Sequence, residues 1–139
     1  MKDNPEQKEE DRKIGRAQSV GQSFYFAFRG LGHAFATQRN FRIHCVAAPI
    51  AALMGLYFDI EPLAWVLLGL SICFVLFAEL MNTAIEHVVD IQANYKYHAA
   101  ARYAKDTAAA AVLVASFAAV ICGCFIFLPK IIRALHLFG

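Results

Sequence analysis

The sequence predicts an all-α integral membrane protein, with three transmembrane helices preceded by an amphipathic helix on the membrane surface. Three observations carry this. Hydrophobic residues make up 59% of the 139-residue chain and charged residues 17%, against roughly 45–50% and about 25% in soluble domains. The apolar residues gather into three runs separated by charged links. Ahead of the first run, large apolar side chains recur at helical spacing. The length suits one domain.

Residues 1–22, MKDNPEQKEEDRKIGRAQSVGQ, are polar throughout and lack the apolar stretch of a cleavable signal peptide. They read as a lead-in to a membrane domain at 23–139. A surface helix is expected over about 23–40. Phe24, Phe28, Leu31 and Phe35 recur at steps of four, three and four, leaving Arg29 and His33 off the stripe. Such a stripe suits a helix lying in a membrane interface, or one packed on a protein core. Gly30 and Gly32 weaken it locally. The first span is expected at about 43–58. Its apolar part, Cys45–Phe58, is short against the ~20 residues that cross ~30 Å of hydrocarbon. The second is expected at about 62–91. It opens on Pro62, a residue suited to a helix's first turn, and carries no charge before Ala78. The third is expected at about 106–128, where Thr107–Leu128 is uncharged for 22 residues.

Charge in the links orients the spans. FDIEP, between the first two, is acidic, whereas the N-terminal segment and the second link carry Lys and Arg. The positive-inside rule puts the N-terminus and the second link in the cytoplasm and Asp59–Glu61 outside. Lys130 and Arg133, at the other end of the third span, run counter to it. A net charge of +2 with no long basic run excludes a typical nucleic-acid binder. Cys45, Cys73, Cys122 and Cys124 lie in apolar runs and read as small buried residues, not as a disulfide frame or a zinc site. There is no phosphate-binding G-x-x-x-x-G-K-[ST] loop, no dinucleotide fingerprint and no protein-kinase signature set.

The second span ends in an unexpected way, with FAELMNTAIEHVVDI. At ~100° per residue, Glu79, Asn82, Glu86 and Asp90 fall within an arc of about 80°. Glu79 lies ~26 Å along the axis from Pro62, near the edge of the hydrocarbon. A carboxylate there needs a partner or a wet cavity and marks a functional site by default; Asp90 alone reads as an ordinary solvated charge. Two carboxylates and an amide suit a divalent cation such as Mg²⁺, and the deepest carboxylate suits a general base. In the following link, His98, Arg102 and Lys105 form a cationic helical face. That face reads either as a phosphate clamp or as a positive-inside flank.

AELMNTAIEHVVDI and YHAAARYAKDTAAAAVL together resemble the prokaryotic membrane lipid kinases, the diacylglycerol kinase and undecaprenol kinase family. The carrying pattern is E-x-x-N-x-x-x-E-x-V-V-D followed by A-K-D, and AFRGLGHAF and NFRIH fit the surface helix and the start of the first span. The resemblance runs from about Ser23 to Leu128. It implies a multi-pass homotrimer in the bacterial plasma (inner) membrane, with active sites between subunits at the cytoplasmic surface, and ATP and a membrane lipid alcohol as substrates. Glu79 then matches the base acting on the lipid hydroxyl, with Asn82 and Asp90 in support. Glu86 matches the residue holding Mg²⁺ on the ATP phosphates. Tyr97, His98, Lys105 and Asp106 match nucleotide contacts, and Phe28, Arg29, Phe35, Asn40 and Arg42 fall where the lipid is expected.

One position departs from the family pattern. Gln38 stands where a second metal-binding glutamate is usual, and an amide oxygen ligates Mg²⁺ without bringing charge. Two other readings stay open: a small oligomeric transporter using Glu79 as an ion or proton site, and a non-catalytic relative of the kinases. NFRIH leans toward the undecaprenol type by resemblance.

Overall fold

The computed structural model describes residues 19–137, so most of the polar lead-in lies outside the described residues. Four helices follow in order: α1 Val20–Thr37, α2 Arg39–Tyr57, α3 Pro62–Gln92 and α4 Ala99–Leu137. The chain divides into two units, Met1–Ala36 and Thr37–Gly139. Within the first, α1 leaves Phe24, Phe28, Leu31 and Phe35 exposed along its length, the stripe read from their spacing. Its helix stops at Thr37. Gln38 is extended (φ −100°, ψ 113°) and caps α2, without a side-chain capping bond. Helix α1 therefore ends before residue 40, and α2 starts before residue 43, because the helical run is interrupted at Gln38.

In the second unit α3 packs against both α2 and α4. Helices α3 and α4 are long and apolar enough to cross a membrane. Helix α2 falls short of that standard because its first turns carry Arg39, Asn40, Arg42 and His44. The 39 residues of α4 reach ~58 Å at 1.5 Å per residue, well beyond a hydrocarbon core. The helix runs past the expected end at residue 128 and continues through Pro129. Leu63, Leu70, Phe74 and Phe77 on α3 and Leu113, Phe117, Val120 and Phe125 on α4 are exposed. Contiguous apolar surface on this scale belongs against lipid or other protein. Two hydroxyls inside these helices bond locally: Ser71 Oγ donates to Leu67 O at 2.8 Å and Thr107 Oγ1 to Tyr103 O at 2.7 Å.

The α2–α3 corner is a Schellman turn. Asp59 takes φ 45°; its N–H donates to Leu56 O, and that of Ile60 to Gly55 O, both at 3.2 Å. The turn drives Ile60 into a core with Leu68 and Phe127, against which Phe58, Ala64 and Trp65 pack. Gly55 is required here: a Cβ would lie 2.8 Å from the Trp65 ring. From α4, Lys130 Nζ donates to Phe58 O (3.1 Å) and Asp59 O (3.0 Å), so the lysine that opposed the charge rule is a structural cap. The end of α3 repeats the motif with Asn94 at φ 47° and Tyr95 at φ 55°, the Tyr95 N–H reaching Asp90 O at 3.0 Å. All four cysteines are free thiols. Cys73 and Cys124 are exposed and the other two half-buried, which corrects their reading as buried: they lie on apolar helix faces, not in a core.

Candidate active site

Leu68, Val75, Glu79 and Thr83 are the buried residues of α3. Their spacings of seven, four and four put them on one stripe, so Glu79 occupies a position that packing would otherwise fill with an apolar side chain. It is 3% exposed. On α4, Ala108, Val112 and Ala115 are also buried; small residues such as the two alanines let helices approach closely.

A cavity of about 230 Å³ opens on Glu79. It is lined by Asn40 and His44 of α2, Glu79 and Asn82 of α3, and Ala109, Val112, Leu113 and Ser116 of α4. His44 Nε2 stands 3.5 Å from Glu79 Oε1, an ion-pair separation outside the usual hydrogen-bond range of ~2.7–3.2 Å. Among the described residues, Glu79 Oε1 and Asn82 Oδ1 are the buried side-chain oxygens without a hydrogen-bond partner. Both belong to residues lining this cavity, which is thereby set up to accept a proton donor. His44 and Ser116 also line a mostly apolar cavity of about 300 Å³, with Ala48, Leu68, Val75 and Phe127 among its walls. A polar space and an apolar one thus share two residues.

Asn82 Nδ2 donates to Glu86 Oε1 at 3.2 Å, linking the Glu79 cavity to the next carboxylate along the stripe. Glu86 is half-buried. Beyond it, Lys105 Nζ grips both oxygens of Asp90, at 2.9 and 3.1 Å. Asp90 is therefore a paired anion and not the free solvated charge its position alone suggested. Both residues line a wider cavity of about 540 Å³ with Tyr95, Tyr97, His98, Arg102 and Asp106. Arg102 Nε and Asp106 Oδ2 lie 3.6 Å apart, both well exposed, a pairing of little strength in water. Of the basic face read from the sequence, Arg102 and Lys105 lie on α4 while His98 precedes its first residue; Arg102 faces Asp106 one turn on and Lys105 faces Asp90 of α3.

The predicted residues fall into three groups. Glu79, Asn82 and Asn40 share the polar cavity, while Asp90, Tyr97, His98, Lys105 and Asp106 share the wider one, with Glu86 tied to the first through Asn82. Gln38 sits at the α2 cap, and Arg42 lies on α2 with an exposed side chain. Phe28, Arg29 and Phe35 are carried by α1. Among the described residues, no three His, Cys, Asp or Glu side chains cluster as metal ligands. His44 and Ser116 were missed as site residues. The signal for His44 was its place four residues after Asn40, on the same helix face; that for Ser116 was a lone hydroxyl midway along an uncharged run.

A family model described as prokaryotic diacylglycerol kinase matches residues 25–127. The chain belongs to the prokaryotic diacylglycerol kinase family. Among curated relatives in this lipid kinase family, a diacylglycerol kinase of Synechocystis is 44% identical over 110 residues, covering 79% of this chain and 63% of the relative. The chain thus spans less than two thirds of that relative's length. An undecaprenol kinase of Bacillus subtilis is 40% identical over 109 residues, covering 78% of this chain and 88% of the relative. A diacylglycerol kinase of Escherichia coli is 36% identical over 101 residues, covering 73% and 82%. Both cavities lie within the stretch that the family model matches.

Proposed function

We propose that the chain is a lipid kinase transferring the γ-phosphoryl group of MgATP to the hydroxyl of a membrane lipid alcohol, diacylglycerol or undecaprenol, at the cytoplasmic surface of the bacterial plasma membrane. The observation that carries this is a buried carboxylate with an unpartnered oxygen, in a polar cavity that shares walls with an apolar one. A lipid alcohol has that polarity: one hydroxyl on an apolar tail. Glu79 takes the hydroxyl proton as the lipid oxygen attacks the γ-phosphorus, and ADP leaves. Asn82 lines the same cavity and supports the site by orienting Glu86 through its amide. Glu86 is the metal ligand, with Gln38 as a neutral second donor. The oxygen-only donor set and the hydrogen bond that orients Glu86 fit Mg²⁺, which commonly takes one or two carboxylates plus substrate phosphates. The bound ion would neutralise charge on those phosphates. The nucleotide occupies the wider cavity, where Tyr97 and His98 contact it. Lys105, pre-oriented by Asp90, meets the phosphates beside Asp106. The family resemblance assigns lipid contacts to Phe28, Arg29 and Phe35 of α1 and to Asn40 and Arg42 of α2.

The remaining architecture follows the family reading. Helix α2 is the first of three spans, its polar first turns emerging among headgroups, and residues 23–139 form one membrane domain behind a lead-in at 1–22. The extensive exposed apolar faces of α3 and α4 support both a lipid contact and a homotrimer. The test uses purified protein with γ-labelled ATP, Mg²⁺ and a panel of lipid alcohols. Label should appear in the monophosphate of one alcohol. Ion flux across vesicles with no labelled lipid would favour the transporter reading instead.

A further inference from the structure

We infer that His44 is a positioning residue for Glu79, fixing the carboxylate in the cavity while leaving its basic oxygen free; this rests on the reading of Glu79 as the base. The nearby donors on Glu79's own helix are already used. The Thr83 hydroxyl donates to Glu79's backbone carbonyl at 2.9 Å, and the Asn82 amide donates to Glu86. From α4 the cavity wall is Ala109, Val112, Leu113 and Ser116. Among the described residues, the side chain within ion-pair distance of the carboxylate is His44 of α2. His44 Nε2 stands 3.5 Å from Oε1, with its side chain 26% exposed. A buried carboxylate without any such neighbour is costly to hold in place. The 3.5 Å separation places the imidazole within electrostatic reach of the carboxylate, while Oε1 keeps no hydrogen-bond partner. His44 also lines the apolar cavity, so its ring both orients the base and forms part of the wall between hydroxyl and tail.

The test compares His44→Leu and His44→Gln with wild type, each also in a Glu79→Gln background. Assembly is checked by elution volume and helicity in detergent. Misplacing a reacting group by ~1 Å can cost about 10²-fold, so turnover in His44→Leu should fall on that order. Half-saturating ATP should not move, because the nucleotide cavity lies elsewhere. Glutamine places an amide N–H at a reach similar to imidazole Nε2 and should recover most of the loss. In the Glu79→Gln background, His44→Leu should add nothing, since residues acting as a unit are non-additive. Wild-type turnover in His44→Leu, or losses that multiply across the two sites, overturns the inference while leaving Glu79 as the base. Wild-type turnover in Glu79→Gln alone removes the base, and His44's role with it. If His44→Leu does not assemble, His44→Phe, which keeps the ring volume without an N–H, gives the same comparison with the same outcomes.

Discussion

At its first turns α3 lays Trp65 against the bare Cα of Gly55 and closes a corner whose carbonyls meet Lys130. Toward its other end the same helix buries Glu79 Oε1 and Asn82 Oδ1 without a hydrogen-bond partner. The first region spends its polar groups on one another and fills the space between with Ile60, Leu68 and Phe127. The second keeps acceptors in reserve beside a cavity. One helix thus serves two purposes: where bonding is complete the fold is held, and where it is incomplete a substrate can complete it.

Substitutions at the two ends should therefore separate activity from stability. The largest effect is expected for Glu79→Gln. It should lower lipid phosphorylation by roughly 10²–10⁴-fold while thermal unfolding in detergent stays near wild type, since the shape is kept. Turnover close to wild type would erase the contrast. Gly55→Ala should do the reverse. A methyl placed against the Trp65 ring should destabilise by about 1–3 kcal/mol, read as a lower Tm, with little change in the ATP concentration for half-maximal rate. A Tm equal to wild type would mean that the corner yields more easily than its contacts imply.

Lys130→Met should be milder, about 1 kcal/mol, because the Asp59 end of its pairing is exposed and water replaces part of it. Loss of activity without loss of stability would assign Lys130 to the wrong region. Gln38→Glu should give the smallest effect, a rise in apparent Mg²⁺ affinity with an added anionic oxygen. A Mg²⁺ titration of the initial rate decides it, and unchanged half-saturation would leave Gln38 only its role as the cap of α2.

The helical class, the start of α3 at Pro62 and the polar stripe along its far end were legible because each is written locally, in composition, a start signal and a period. The extent of the helices was less so. Gln38 divides α1 from α2 through its backbone conformation, and α4 outruns Pro129, with Lys130 bonded at the corner and Ile131 packed on the core. The Asp90–Lys105 pair spans two helices, and Asp90 by itself looked like a solvated charge. His44 was invisible as Glu79's neighbour for the same reason: a contact between α2 and α3 has no signature in either helix's own pattern. Gly55 likewise acquires its meaning only from Trp65 across the turn.

The bond from Lys130 to the corner carries a consequence for the fold. The carbonyls of Phe58 and Asp59 point at the ammonium only when the turn after α2 adopts its left-handed step at Asp59. The corner and the last turns of α4 are therefore coupled: the bond is present only while the turn keeps that step and α4 continues far enough past Pro129 to bring Lys130 to it.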